Sequence, residues 1–123
     1  MAVEKTIEQI NNAIGAHGTW KMRLNVAIKT GSFDVDPRIV ACDDKCAFGQ
    51  WIHGPSIDAE TRAGMPYQVV RRLHADFHKC AADVVRNAVS GRKTEAVTIL
   101  ESDYAERSDK LTRALTKWKR ELS

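Results

Sequence analysis

At 123 residues and 43% hydrophobic content, the chain is long enough for one modest core and too apolar for a disordered segment. No apolar run approaches the ~18 residues of a spanning helix, and none follows basic residues at the N-terminus; neither a transmembrane segment nor a secretory signal is expected, and the cytoplasm is the default location. Three cysteines are too few for a disulfide framework, and a formal charge of +3 is too mild to imply a nucleic-acid partner.

The first predicted element is a long amphipathic helix over about residues 3–29, where Ile7, Ile10, Ile14, His17, Leu24 and Ile28 recur at helical spacing. Gly15 and Gly18 flank His17 at a cost of about 1 kcal/mol each relative to alanine, which suggests close approach of another backbone or an ion there. Thr30-Gly31-Ser32 ends the helix. Residues 33–42 read as a loop, with Asp36-Pro37 favouring an extended or turn conformation. A short helix is predicted over 44–53, with Asp43 as its N-cap and Gly54-Pro55 as its stop.

After a second loop, a third helix covers about 67–89, with Val70, Leu73, His74, Phe77, Ala81, Val84, Val85 and Ala88 on one stripe; Ser90-Gly91 closes it. The fourth covers about 93–122 through Val97, Leu100, Tyr104, Leu111, Leu115 and Trp118. Its basic residues, among them Arg107, Lys110, Arg113 and Lys117, read as a solvated face, because Trp118 is the one aromatic near them. No alternating strand pattern competes. The expectation is one all-α domain over residues 1–123, an antiparallel four-helix-type bundle in which a short additional helix carries a cysteine.

That cysteine, Cys46, joins His17, His74 and His78 in a set suited to closed tetrahedral zinc. His74 and His78 are four residues apart, so on a helix they share a face and are ~6 Å apart along its axis. His17 occupies a core position on the first helix, and three buried imidazoles without a common partner would be costly. Cys46 is expected in the first turn of the short helix, where unpaired N–H groups and the dipole would lower its pKa and favour the thiolate that binds metal. Gly49 would let that helix pack closely, with Phe48 and Trp51 sealing the site.

His17 with Trp20, Cys46-x-Phe-Gly-x-Trp51 followed by Gly54-Pro55, and His74-x-x-Phe-His78 together resemble the chemoreceptor zinc-binding (CZB) domain family. The resemblance implies a helical bundle with a three-histidine, one-cysteine Zn2+ site formed by His17, Cys46, His74 and His78. It further implies a zinc sensor, commonly homodimeric, on bacterial chemotaxis receptors, on diguanylate cyclases or free-standing, so the signalling module would be in cis or in trans. In some members the ligand cysteine responds to oxidants such as hypochlorous acid. His53 departs from the family pattern and is read as a surface or second-sphere residue. Cys42 reads as an ordinary loop thiol with a resolving role as the alternative, and Cys80 is expected to point away from the metal face.

Two competing classes follow. Four protein ligands would leave no position for a catalytic water, the chain has no Glu-x-x-His motif, and no acidic residue follows any histidine by four positions, so no enzyme is expected. A zinc-stabilised structural bundle acting as a dimerisation or interaction module is the alternative to a sensor, since structural zinc can contribute ~10 kcal/mol or more to folding. Neither nucleic-acid binding nor membrane insertion is expected.

Overall fold

The long apolar stripes set the architecture. A computed structural model of the chain describes residues 3–122, apart from the side chain of His17. In α1 (Val3–Thr30), Ile10, Ala13, Leu24, Ala27 and Ile28 are buried, the three- and four-residue gaps bringing them to one face. In α5 (Met65–Val89) the predicted positions Val70, His74, Phe77, Ala81, Val84, Val85 and Ala88 turn inward, while Leu73 is half-buried. The third long rod begins as α6 (Lys93–Ile99), passes through a π-helical turn (Leu100–Tyr104) and continues as α7 (Ala105–Leu122), burying Leu111, Leu115 and Trp118. No strand occurs among the described residues, so the all-α bundle expected from the sequence is what the chain forms.

The α5 helix lies at the centre, packed on α1, α6 and α7. Glycines in the left-handed region make two of the sharp exits: Gly31 has φ 74° after α1 and Gly91 has φ 79° after α5. At the second, Arg92 N–H reaches the Asn87 carbonyl and Gly91 N–H the Ala88 carbonyl, which closes the last turn and reverses the chain into an antiparallel pair. By contrast, α1 and α5 run in the same direction: Trp20 meets His78, and Gly31 lies near the Ala88 carbonyl. The long connection between them makes that possible.

This connection is more ordered than the sequence reading allowed. Asp36-Pro37 starts a helix, α2 (Pro37–Val40), rather than a loop: the Asp36 carboxylate accepts from the Arg38 N–H, and proline stands at the first helical position. The cysteine helix, α3 (Ala47–His53), begins three residues later than predicted. Its N-cap is Cys46 rather than Asp43, because Asp43 turns instead to His53, with Asp43 Oδ2 2.9 Å from His53 Nε2. A further short helix, α4 (Ala59–Ala63), is capped by Asp58. Arg62 ties this segment down, donating to the Ile57 and Gly54 carbonyls and to the Tyr67 hydroxyl, which itself donates to the Ile52 carbonyl.

The π-helical turn has a sequence cause. Ala96, Leu100 and Tyr104 are buried at successive intervals of four, and each such step drifts about 40° around an α-helix. A wider turn takes back that drift, so the face continues in register to Leu111 and Leu115.

Among the glycines, the expectation for Gly15 and Gly18 fails and that for Gly49 holds. A methyl group on Gly15 or Gly18 would meet nothing within 4 Å in the described structure, so neither is required by packing within the chain. Gly49 is required: a methyl there would overlap the Asp43 carbonyl oxygen. Replacing Gly49 by alanine is expected to cost about 1–3 kcal/mol through overpacking and to displace Cys46, read as a lower urea midpoint together with weaker zinc affinity.

Candidate metal centre

The site is assembled from one rigid helix and one capped loop. Successive turns of α5 carry His74 and His78, buried to 4% and 3% exposure. Their Nε2 atoms approach to 3.1 Å. Cys46 arrives from the start of α3, its Sγ 3.4 Å from His74 Nε2 and 3.5 Å from His78 Nε2. The thiol is fixed from behind by the Gly49 N–H, which donates to Sγ at 3.3 Å. Among the described residues this is the one cluster of three or more potential ligands.

Those distances can be compared with an ideal site. Zinc bonds of ~2.0–2.1 Å to nitrogen and ~2.3 Å to sulfur at tetrahedral angles place nitrogens about 3.3 Å apart and sulfur about 3.6 Å from nitrogen. The three observed edges, 3.1, 3.4 and 3.5 Å, match one face of such a tetrahedron.

Protonation agrees with this. His78 Nδ1 lies 3.0 Å from the Val40 carbonyl, which can only accept, so Nδ1 carries the proton. Burial holds the His78 pKa below its ordinary 6.5 and keeps the ring neutral, leaving Nε2 as a bare lone pair. Trp20 stands edge-on to the His78 ring and Phe48 to the His74 ring, so apolar walls surround the donors.

The Cys46 thiol corrects an expectation. Burial pushes its pKa up, and the N–H groups of Gly49 and Phe48, which pull it down, do not compensate. A seven-residue helix offers a weak field, and desolvation outweighs it. The thiolate therefore forms against a cation, not before one arrives.

Of the four expected donors, Cys46, His74 and His78 are brought together. The His17 side chain lies outside the described residues. Cys80 is buried against α6 and the π-helical turn, its pKa raised to about 11 by burial, and it takes no part in the cluster. Cys42 donates to the Arg38 carbonyl on α2. Sequence reasoning missed the Val40 carbonyl. The Asp36-Pro37 capping signal could have revealed the helix that presents it.

Over residues 17–85, more than half its length, the sequence matches the family model of the chemoreceptor zinc-binding domain. The chain belongs to the chemoreceptor zinc-binding domain family. The matched span opens at His17 and takes in Cys46, His74 and His78. No curated protein and no solved structure matches the chain. CZB domains are sensory and zinc-binding rather than a known catalytic family, and zinc is the cofactor of this one. No helix among the described residues is long and apolar enough to cross a membrane.

A pH dependence follows from His78. Because the folded state resists its protonation, the unfolded chain binds more protons below pH 6.5, and stability falls as pH drops through that value. Asp43 acts with the same sign in a more acidic window: burial raises its pKa, but the His53 hydrogen bond and charge prevail and hold it below the ordinary 3.8, so its contribution is lost only as pH falls below that value. With a chelator present, the urea midpoint is expected to be lower at about pH 5.5 than at about pH 7.5, with an unchanged slope.

Proposed function

We propose that residues 1–123 form a single sensory unit of bacterial signalling that binds zinc through His17, Cys46, His74 and His78. The supporting observation is the convergence of three donors, from α5 and the α3 cap, at the edge lengths of a zinc tetrahedron. A fourth donor from α1 would complete the shell and leave no site for a reacting water, which accords with a sensor rather than an enzyme.

In this reading, bound zinc supplies a cross-link between helices that otherwise meet through apolar side chains. Cys46 holds the α3 loop against α5, and His17 would hold α1 to both. Occupancy thereby changes how α1 and α3 sit on α5, and with them the surface offered to a partner. Oxidation is a second input to the same link. Hypochlorous acid would convert the Cys46 thiolate to a sulfenic acid with release of chloride, removing the sulfur donor.

Each single replacement, His17→Ala, Cys46→Ser, His74→Ala or His78→Ala, is expected to weaken zinc binding by at least about 100-fold in competition titrations, since loss of a mere supporting hydrogen bond typically costs 10–100-fold. Cys46→Ser should also abolish oxidant-triggered zinc release while Cys80→Ser retains it. Equal loss in both would remove Cys46 as the reactive thiol.

The output is proposed to pass through a homodimer to a chemoreceptor or diguanylate cyclase module, on the same chain or another, in the cytoplasm. Support for the dimer comes from α1, where Gly15, Gly18, Met22 and Val26 fall on one outward face; Met22 is 70% and Val26 57% exposed. The small residues would let a second copy approach closely. Met22→Asp is expected to weaken self-association at least tenfold in sedimentation equilibrium. A change in dimer geometry on adding zinc separates the sensor from a merely zinc-stabilised module.

A further inference from the structure

Beside the cysteine loop, an open cleft of about 570 Å³ lies between the segment at Asp43, the end of α3, α4 and the first half of α5. Three guanidinium groups line it, from Arg62, Arg71 and Arg72, together with His53 and Asp43. The α5 contributors Tyr67, Gln68, Arg71, Arg72 and Ala75 recur at helical spacing and so share a face.

The charge balance of this cleft is one-sided. Its one carboxylate, Asp43, is already engaged by His53, at 2.9 Å. None of the three arginines has a carboxylate within ion-pair distance among the described residues, whereas six of the seven arginines elsewhere do, at positions 23, 38, 86, 92, 107 and 113, Arg120 being the exception. Arg62 is the most constrained. It is half-buried, and three of its five N–H groups are spent on neutral acceptors: the Ile57 and Gly54 carbonyls and the Tyr67 hydroxyl. Those bonds orient the guanidinium without neutralising it. A cation fixed by three hydrogen bonds, partly desolvated and short of a counter-charge favours an incoming anion, and the exposed Arg71 and Arg72 line the same cleft with two further guanidinium forks for that anion's oxygens.

We infer that this cleft is a second ligand site, taking a small molecule that carries a phosphate or diphosphate group. Planar forks match phosphate oxygens in pairs, and a charge of about −2 answers the unpaired arginines better than a single carboxylate does. The cleft is also larger than one oxyanion and falls within the ~300–1,000 Å³ range of small-molecule sites, which favours a phosphorylated compound over the free ion. The inference does not rest on the zinc reading, because none of Arg62, Arg71 and Arg72 belongs to the metal cluster.

The test is a titration of the full chain, both zinc-loaded and chelator-treated, with sodium pyrophosphate and separately with inorganic phosphate. Ionic strength is held at about 0.15 M, and binding is followed by amide and histidine-ring NMR shifts. Saturable shifts are expected at His53 and along residues 67–75 in both metal states, with pyrophosphate bound more tightly than phosphate. Arg71→Ala and Arg72→Ala should each weaken pyrophosphate binding about tenfold, whereas Lys117→Ala on α7 should not change it. Both arginines are exposed, so their replacement leaves the fold intact. Absence of saturation, shifts spread equally over the basic face of α7, or equal weakening by Lys117→Ala would overturn the assignment.

Discussion

The hydrogen bond from His78 to the Val40 carbonyl carries more of this structure than its length of 3.0 Å suggests. It fixes the ring tautomer, so that Nε2 faces Cys46 and His74 as a lone pair. It also pins α2, a helix of four residues that packs on α5 through the buried Val40, to the centre of the bundle. Without that bond the ring would be free to present either nitrogen, and the three-donor face would have no fixed orientation. Burial reinforces the bond by keeping the ring neutral. Site and connection therefore depend on one another through a single backbone acceptor.

Much of this was legible in the sequence, for reasons of periodicity. The stripes of the three long rods specify which faces turn inward, and the four-residue spacing of His74 and His78 is enough to place both rings on the buried face of α5. The Cys-x-Phe-Gly-x-Trp element carried the family. Less legible was whatever depended on competition between near-equal local choices. Asp43 and Cys46 can each cap a helix three residues apart. His53 draws Asp43 away, and the thiol becomes the cap. That preference lies in a contact ten residues distant, outside the reach of a capping rule.

The thiol and the glycines teach the same lesson from opposite sides. A helix start was expected to lower the Cys46 pKa, yet desolvation by burial prevails. Gly15 and Gly18 looked like accommodations for something pressing on α1, yet within the chain they face open space, while Gly49 and Gly54 are the ones with a backbone oxygen pressed against them. A sequence shows that a residue is small or a helix begins. What presses against it belongs to the tertiary fold.

Val40 and Cys46 lie in one short stretch of chain, between the Asp36 cap and Gly54, while both α5 histidines ride on a 25-residue helix. The movable half of the centre is thus contiguous, and its rigid half is built into the core. Swinging that one flap outward would part the sulfur from the imidazoles and lift Val40, Phe48 and Ile52 off the core, while the apolar contacts among the long rods stay in place. The rate at which an ion enters or leaves would then be governed by the opening of that one segment, a local event that costs less than melting the domain.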